Sequence, residues 1–481
     1  MRRLRSHPYL KLDWTLIVCY LVLVVFGWLN IYSVLHGEGS NIFDVTQKYG
    51  KHFIWICVSL VTAVVIIRWL PANLWQGTAW LLYGAVILLL IATLVLGVSS
   101  HGSRSWIKIG TFRLQPAEFS KITTSLALAT VMGKYGFNLK SFPNVLKVAA
   151  ILLLPMALIL LEKETGSVLV YVGFLVVLYR EGMSGWIITF GFLTVLGFIL
   201  TIVTSPYLAM VVAIGLFLII FFFKQEQYFL GIIITAASVA LLLLLRWILS
   251  LEKVAAVNPM APEMWLAIIT AAVSVVFIVR LLIWFPRRTF ARNAFIALLC
   301  GISFIVSVEF FYGKVLQDHQ RNRIDVFLGL VDDPKGVGYN LHQSMVAIGS
   351  GGFAGKGFMN GTQTSLGYVP EQETDFIFCT IGEEWGLLGA LAVLALYLTI
   401  IFRILILADR TKDAFTRVFG YCVAMCLAVH VVINIGMTIG LMPVIGIPLP
   451  FLSYGGSALL AFTVMLAIFL KLVFDEQRIL H

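Results

Sequence analysis

Asp332 and Asp333, followed by Pro334, stand in the only long polar stretch of this chain, which runs from Lys314 to Asp375. A carboxylate beside an apolar membrane surface can have its pKa raised towards the range of a general base. Pro334 biases Asp333 away from helix. Gly336 and Gly338, just before Tyr339, permit a tight turn or a close backbone approach to a ligand. A plain Asp-Pro turn accounts for the same spacing without chemistry. Cations surround the pair: Arg321, Arg323, Lys335 and Lys356 in this stretch, and Arg104, Lys108 and Arg113 in a second polar stretch, 98–117. Either these are ordinary loop bases, or they converge on an anionic headgroup, for which the planar fork of Arg is well suited.

Other spacings carry weaker signals. In SWIKIGTFRLQPAEFSK, Pro116 is placed to start a helix, and Glu118 and Lys121 then share one face of its first turns. The pair is a helix-start ion pair or, at membrane depth, a functional one, because ionisable groups in spans are costly. The same logic applies to Glu309, Glu383 and Glu384, whereas His430, alone in an apolar span, is expected to be packed and hydrogen-bonded. GSGGFAGKG is not a phosphate loop: Ser350 stands where the first Gly is needed, and Gly357 follows Lys356 where Ser or Thr is needed. With no strand–helix units to build a nucleotide fold, ATP-driven transport is disfavoured. The six cysteines, all in apolar runs, read as small buried hydrophobes rather than disulfides or metal ligands.

The elements that must position these residues are membrane helices. The 481 residues are 60% hydrophobic and 12% charged, with mean hydropathy +0.97, against about 45–50% and about 25% in soluble domains. The fold class expected is an all-α polytopic membrane bundle with one long extracytoplasmic loop. Runs long enough to span are read at 12–35, 53–70, 77–97, 118–134, 146–161, 166–180, 184–204, 207–223, 227–250, 263–285, 291–312, 376–402, 414–441 and 453–474, about fourteen in all. MRRLRSHPYLK resembles a signal n-region, but no small-residue cleavage site follows, so a retained first span is expected. The net charge of +10 is no nucleic-acid signature. Lys and Arg cluster in the short loops that face the cytoplasm if both termini are inside, which puts 314–375 outside. Near the C-terminus, IGLMPVIGIPLPFLSYGGSALL interrupts the helical pattern repeatedly. Broken backbone at membrane depth survives only where it is buried in protein or lines a cavity, so this segment is read as a wall of the outward-facing site.

Taken together, QRNRI, DDPKGVGYN, AIGSGGFAGKG, GTQTSL, YVPEQETDFIF with GEEWGLLG, GLMPVIGIPLPFLSYGGS and SWIKIGTFRLQPAEFSK resemble the SEDS proteins (shape, elongation, division and sporulation). The GTQ before PE-x-x-TDF resembles the elongation (RodA) branch more than the division (FtsW) branch. The likeness covers about residues 1–180 and 291–481. It implies N-terminal spans 1–180 with an outer loop at 98–117, C-terminal spans 291–481 with a catalytic loop at 314–375, and an apolar insertion at 184–290 with room for about four extra spans.

The resemblance also implies a reaction: polymerisation of lipid II at the outer face of a bacterial cytoplasmic membrane during cell elongation, by a peptidoglycan glycosyltransferase that inverts the anomeric centre. Asp333 then matches the essential aspartate and serves as general base. Arg104, Glu118, Lys121, Arg321, Arg323, Lys335, Glu371, Asp375 and Glu384 are implied in substrate binding. Pro334, Gly338, Tyr339, Pro370, Thr374, Pro450, Ser453, Gly455 and Gly456 are implied in shaping the site. Asp332 either raises the pKa of Asp333 or helps bind a divalent cation (Mg or Mn); no cofactor is fixed. The partners implied are lipid II, a class B penicillin-binding protein transpeptidase and elongation-complex membrane proteins, with no nucleic acid. Two departures from the family pattern stand out: Glu373 replaces the usual His before TDF, and KETGS, with Glu164, replaces PDLGT. The alternative reading is a lipid-linked sugar flippase, and a non-catalytic scaffold is a third. Charge gathered on the outer side, rather than spread through the midplane, favours the polymerase.

Overall fold

Apolar runs become helices because a chain crossing hydrocarbon must satisfy every backbone group within itself. The computed structural model describes residues 12–36, 42–100, 103–110, 112–249, 262–284, 289–316, 318–331 and 336–480. In chain order the helices are α1 (Trp14–Leu35), α2 (Lys48–Arg68), α3 (Ala72–Leu96), α4 (Pro116–Met132), α5 (Phe142–Leu161), α6 (Thr165–Arg180), α7 (Trp186–Val203), α8 (Pro206–Lys224) and α9 (Tyr228–Leu249). There follow α10 (Pro262–Trp284), α11 (Thr289–Phe310), α12 (Asp318–Phe327), α13 (Val337–Ser350), α14 (Thr362–Ser365), α15 (Ile377–Arg410), α16 (Ala414–Thr438) and α17 (Gly456–Leu480). Eleven described helices are long and apolar enough to cross a membrane. The remaining expected spans coincide with α4, α6 and α7, which are shorter. The protein is a multi-span helical membrane protein.

Contacts divide the chain into two units, Met1–Ile188 with Asp332–His481, and Thr189–Val331. In the first unit, α4 and α16 form the centre: α4 packs on α3, α5, α6, α16 and α17, and α16 on α4, α6, α15 and α17. Over their apolar stretches α16 and α17 are 78% and 83% buried, against 28% for α2, α3 and α5, which leave most of their surface for lipid. Starts are fixed locally. Asp13 caps α1 by accepting from the Leu16 amide at 3.1 Å, and Asp413 caps α16 by accepting from the Thr416 amide at 3.1 Å. Pro116 opens α4 at a position where its missing N–H costs nothing.

The 98–117 stretch, read from sequence only as a loop, holds a small antiparallel sheet: β1 (Val98–Ser100), β2 (Ser103–Ile109) and β3 (Phe112–Leu114), in that order. Lys108 pairs with Arg113 and Ile109 with Phe112, and Gly110 takes φ +62° at the turn, where glycine is unstrained.

Two interruptions shape the end of this unit that carries the sheet. Between α16 and α17 the chain is irregular yet buried, with Ile447, Leu449, Phe451 and Leu452 at most 2% exposed. Side chains satisfy its carbonyls: Asn434 donates to Ile447 O at 2.7 Å, His430 Nδ1 meets Pro448 O at 3.1 Å, and the Tyr397 hydroxyl donates to Pro450 O. Gly27 of α1 lets this segment pass, since a Cβ there would stand 2.6 Å from Leu452 Cα. The second interruption is inside α15, where Gly386 takes φ +63° and ψ −160°. The freed carbonyls of Glu383 and Glu384 accept from the amides of Lys356 and Gly357 at 3.0 and 2.9 Å. In return, the Leu387 and Leu388 amides donate to Gly352 and Phe353 at 3.0 and 3.2 Å. The loop after α13 is thus spliced into the helix, and the backbone accounting closes.

The second unit has its own small core of Tyr207, Met210, Leu266, Leu298, Ile302 and Ile305, where α8 packs on α9, α10 and α11. The Tyr207 hydroxyl donates to Leu242 O at 2.7 Å, and Arg246 donates to Ser205 at 3.3 Å. A π-helical turn, Phe311–Val315, ends α11, and Arg321 on α12 folds back to donate to the Tyr312 and Gly313 carbonyls at 3.1 and 2.8 Å.

Candidate active site

Asp332, Asp333, Pro334 and Lys335 lie outside the described residues. What surrounds the motif can be built from its flanks. Gly338 and Tyr339 form the first turn of α13, and Ser344 on the same helix donates to the Thr438 carbonyl of α16 at 3.0 Å. The helix following the motif is therefore anchored to the central helix of the first unit.

Behind the sheet, Glu118 and Lys121 form the pair their spacing predicts, at 2.7 Å, and are 2% and 1% exposed. The Lys121 ammonium also reaches His430 Nε2 at 2.9 Å. An ammonium can only donate, so Nε2 accepts, and the Nδ1 proton is left to donate to Pro448 O. The imidazole is thus held as one neutral tautomer, and the network ties α4 to α16 and to the irregular segment. Lys121 also stands over the Phe462 ring, 5.3 Å from its centroid. Glu118 and Lys121 present no open surface for direct contact with a substrate, and they tie α4 to α16.

The turn between α5 and α6 clamps the sheet. The Arg104 amide donates to Glu162 O at 3.0 Å, and Gln115 donates to Glu164 Oε1 at 2.6 Å, which also accepts from Ser167. Lys163 between the two carboxyls adopts φ +63°. Burial pushes the Glu162 carboxyl up to about 8, with the neighbouring Glu164 adding to the shift. Burial likewise pushes Glu164 up to about 7, against the hydrogen bond from Ser167. The Arg104 side chain is exposed.

The PE-x-x-TDF segment is divided between surface and interior. Pro370 and Glu371 are exposed, and Glu371 holds Thr374 through its backbone and carboxylate oxygens at 3.2 Å. Asp375 is half-buried beside Gly446, where a Cβ would come within 3.1 Å of its Oδ2. Glu373, 7% exposed, is paired with Lys48 at the start of α2, and its carbonyl accepts from the Tyr454 amide at 2.8 Å. Burial raises the Tyr454 phenol, while the charges of Lys48 and Arg113 work to lower it, which puts both cations within electrostatic reach of that ring. Sequence reading passed over Lys48 and Tyr454. Lys48 breaks the short-loop charge rule as Arg104 and Arg113 do, and that signal was available.

Glu384 is buried, 1% exposed, and accepts from Ser33 and from the Met359 amide. Glu383 is its interior neighbour: it accepts from Lys356 at 2.6 Å, from the Gln363 and Thr364 amides at 2.9 Å each, and from the Thr364 hydroxyl at 2.9 Å. These two carboxylates hold the 356–364 loop from below. Pro450 and Ser453 are buried, and Ser453 accepts from the Leu449 amide at 2.7 Å. Gly456 passes Trp55, whose ring a Cβ would meet at 2.2 Å, and Gly455 precedes it, half-buried. Arg321 and Arg323 belong to the second unit. Among the described residues no group of three or more His, Cys, Asp or Glu could hold a metal ion.

The structure thus brings together, at one end of the first unit, the sheet with Arg104 and Arg113, the start of α2 with Lys48, the 370–375 segment and the irregular segment 446–455. Lys48, Arg104, Arg113 and the exposed carboxylate of Glu371 lie over a buried interior that holds the Glu118–Lys121 ion pair. Three cations on one rim suit the chemistry of an anionic headgroup.

Comparison with known proteins places this arrangement. The peptidoglycan glycosyltransferase MrdB of Escherichia coli K12 is 29% identical over 93% of this chain and 90% of its own length. The peptidoglycan glycosyltransferase RodA of Treponema pallidum is 30% identical over 97% and 98%. A probable FtsW from Coxiella burnetii is 24% identical over 97% of both. Among solved structures, a polypeptide of a peptidoglycan synthase complex that coordinates polymerization and crosslinking superposes with a TM-score of 0.62 at 22% identity, over 97% of this chain and 98% of that one. Thermus thermophilus RodA superposes with a TM-score of 0.54 at 20% identity, over 97% of both. The family FTSW_RODA_SPOVE, described as cell cycle protein, matches residues 13–214 and 267–478, interrupted only inside the apolar 184–290 segment. The chain belongs to this SEDS family, and within it sides with the RodA members.

Proposed function

We propose that this protein is a peptidoglycan glycosyltransferase that polymerises lipid II into glycan strands at the outer face of a bacterial cytoplasmic membrane, both its termini lying inside. The observation that carries the reading is the gathering of motif segments, distant in sequence, at one end of the first unit of a chain whose residues 13–214 and 267–478 match the family. Asp333, in the motif that leads into the anchored helix α13, takes the proton of the acceptor's 4-hydroxyl as that oxygen attacks the donor's anomeric carbon. The bond from that carbon to the pyrophosphate oxygen breaks, undecaprenyl pyrophosphate leaves, and the α linkage becomes β in a single displacement. Rim cations such as Arg104 offset the charge developing on the pyrophosphate. A class B penicillin-binding protein transpeptidase and other elongation-complex membrane proteins are the partners this reading requires; the neighbouring synthase complex supports it.

The test uses purified protein with its transpeptidase partner and labelled lipid II. Wild type makes glycan chains, and Asp333→Ala and Asp333→Asn make none. Normal polymerisation by Asp333→Ala sinks the general-base role. Movement of lipid II across vesicles with no glycan formed by wild type would favour the flippase instead.

A further inference from the structure

A cavity of about 640 Å³ opens at the other end of the first unit, between the start of α3, the turn after α4 and the start of α5. Its mouth carries Lys134 and Lys147, and no carboxylate lines it. Its wall is apolar. Lys147, Ala150, Ile151 and Leu154 follow one face of α5 for two turns, about 10 Å of depth. Trp80 and Tyr83 face them from α3. Deep on this wall the Tyr83 hydroxyl is already used, since it donates to Ile151 O at 3.0 Å and pins α3 to α5, whereas the polar groups of Tyr135 and Asn144 sit at the mouth with the two lysines.

Charge bias alone accounts for basic residues at this end, and four of its cations are paired with carboxylates: Arg180 with Asp409, Arg403 with Asp13, Arg417 with Glu181 and Lys471 with Asp475. What sets Lys134 and Lys147 apart is that both border one apolar cavity that no carboxylate lines. Lys134 and Lys147 are exposed and have no ion-pair partner among the described residues. Two unneutralised ammonium groups stand over a slot that descends along the apolar part of the helices. An amphiphile with an anionic head and an acyl tail complements both halves.

We propose that this cavity binds one anionic phospholipid from the leaflet opposite the candidate active site. The phosphate lies between Lys134 and Lys147, and the upper part of one acyl chain runs along Trp80, Ala150 and Leu154. The assignment depends on the chain spanning a membrane and not on the reaction catalysed at the other end.

Native mass spectrometry of the purified full-length protein, titrated with dioleoyl phosphatidylglycerol or with phosphatidylcholine of the same chains, tests it. Wild type binds the first phosphatidylglycerol more tightly than phosphatidylcholine. The Lys134→Gln, Lys147→Gln double variant, both positions exposed and safe for folding, loses about 30-fold in phosphatidylglycerol affinity and nothing for phosphatidylcholine. Trp80→Ala weakens both lipids. Glycerol 3-phosphate, the headgroup chemistry without a tail, competes only weakly. Equal binding of the two lipids by wild type, or a lysine double variant that keeps the preference, overturns the proposal. Glycerol 3-phosphate binding as tightly as the lipid overturns it too, in favour of a soluble phosphate site.

Discussion

Replacing Glu162 by Gln should remove a pH-dependent loss of stability from this protein. Glu162 is 1% exposed, and neither carboxyl oxygen has a hydrogen-bond partner among the described residues. Burial, with the charge of Glu164 adding, lifts its carboxyl from the ordinary 4.5 to about 8. Because the folded state holds this proton more tightly than the unfolded chain, stability is greatest below about pH 4.5, falls as pH rises, and levels off above about 8. At 1.36 kcal/mol per unit of pKa, the cost is about 3 kcal/mol at pH 7 and about 5 kcal/mol above pH 8. Glutamine keeps the shape and cannot titrate. Its amide adds a constant offset that does not vary with pH. Glu164, pushed to about 7, titrates in both proteins, and because its charge also raises Glu162, its own ionisation becomes easier once Glu162 is neutral, which adds to the difference in the same direction. Thermal unfolding of the purified protein in detergent from pH 5 to 9 reads the effect. The wild-type midpoint should fall more steeply than that of Glu162→Gln up to about pH 8, after which the two run parallel. Parallel curves throughout would mean that Glu162 is ionised in the fold and the argument from burial is wrong.

Glu383→Ala strands the Lys356 ammonium and two backbone amides around a buried site, so a loss of about 3–5 kcal/mol is expected in the same unfolding assay. Gly386→Ala forces a Cβ to within 2.3 Å of the Gly355 amide nitrogen at a backbone angle suited to glycine, and should cost more than about 3 kcal/mol or prevent accumulation of folded protein, read by size-exclusion chromatography. Lys48→Ala should be mild, under about 1 kcal/mol by thermal unfolding, because Lys48 is 53% exposed and its pair with Glu373 is screened by water; a large loss would show that the pair holds the 370–375 segment in place.

The long apolar helices were legible from run length alone, because hydrocarbon imposes that requirement residue by residue, whereas α12, α13 and α14 lie in the polar stretch 314–375, which was read as one long loop. The Glu118–Lys121 pair was legible too, since three-residue spacing on a helix is a local fact. The expectation that His430 is packed and hydrogen-bonded holds, but its partner could not be read, because Lys121 is 309 residues away. The small sheet was missed because its strands are three to seven residues long and sit in a polar stretch with little alternation to find. The break at Gly386 was invisible for a different reason. GEEWGLLG is acceptable helix sequence, and only the arrival of the 352–357 backbone makes opening the helix there favourable. Glu383 and Glu384 were singled out for charge, whereas the structure gives them hydrogen-bonding roles beneath a loop that no spacing connects to them.

The splice at Gly386 has a consequence for how this end of the protein opens. The amides of Lys356, Gly357, Leu387 and Leu388 make four reciprocal hydrogen bonds between loop and helix, so their exchange with solvent should be coupled. A loop that looks like a peripheral excursion is therefore expected to form one cooperative unit with the two helical halves that meet at Gly386. It should breathe at the helix's rate rather than a loop's, and it carries the rigidity of the membrane interior out to the water-facing rim.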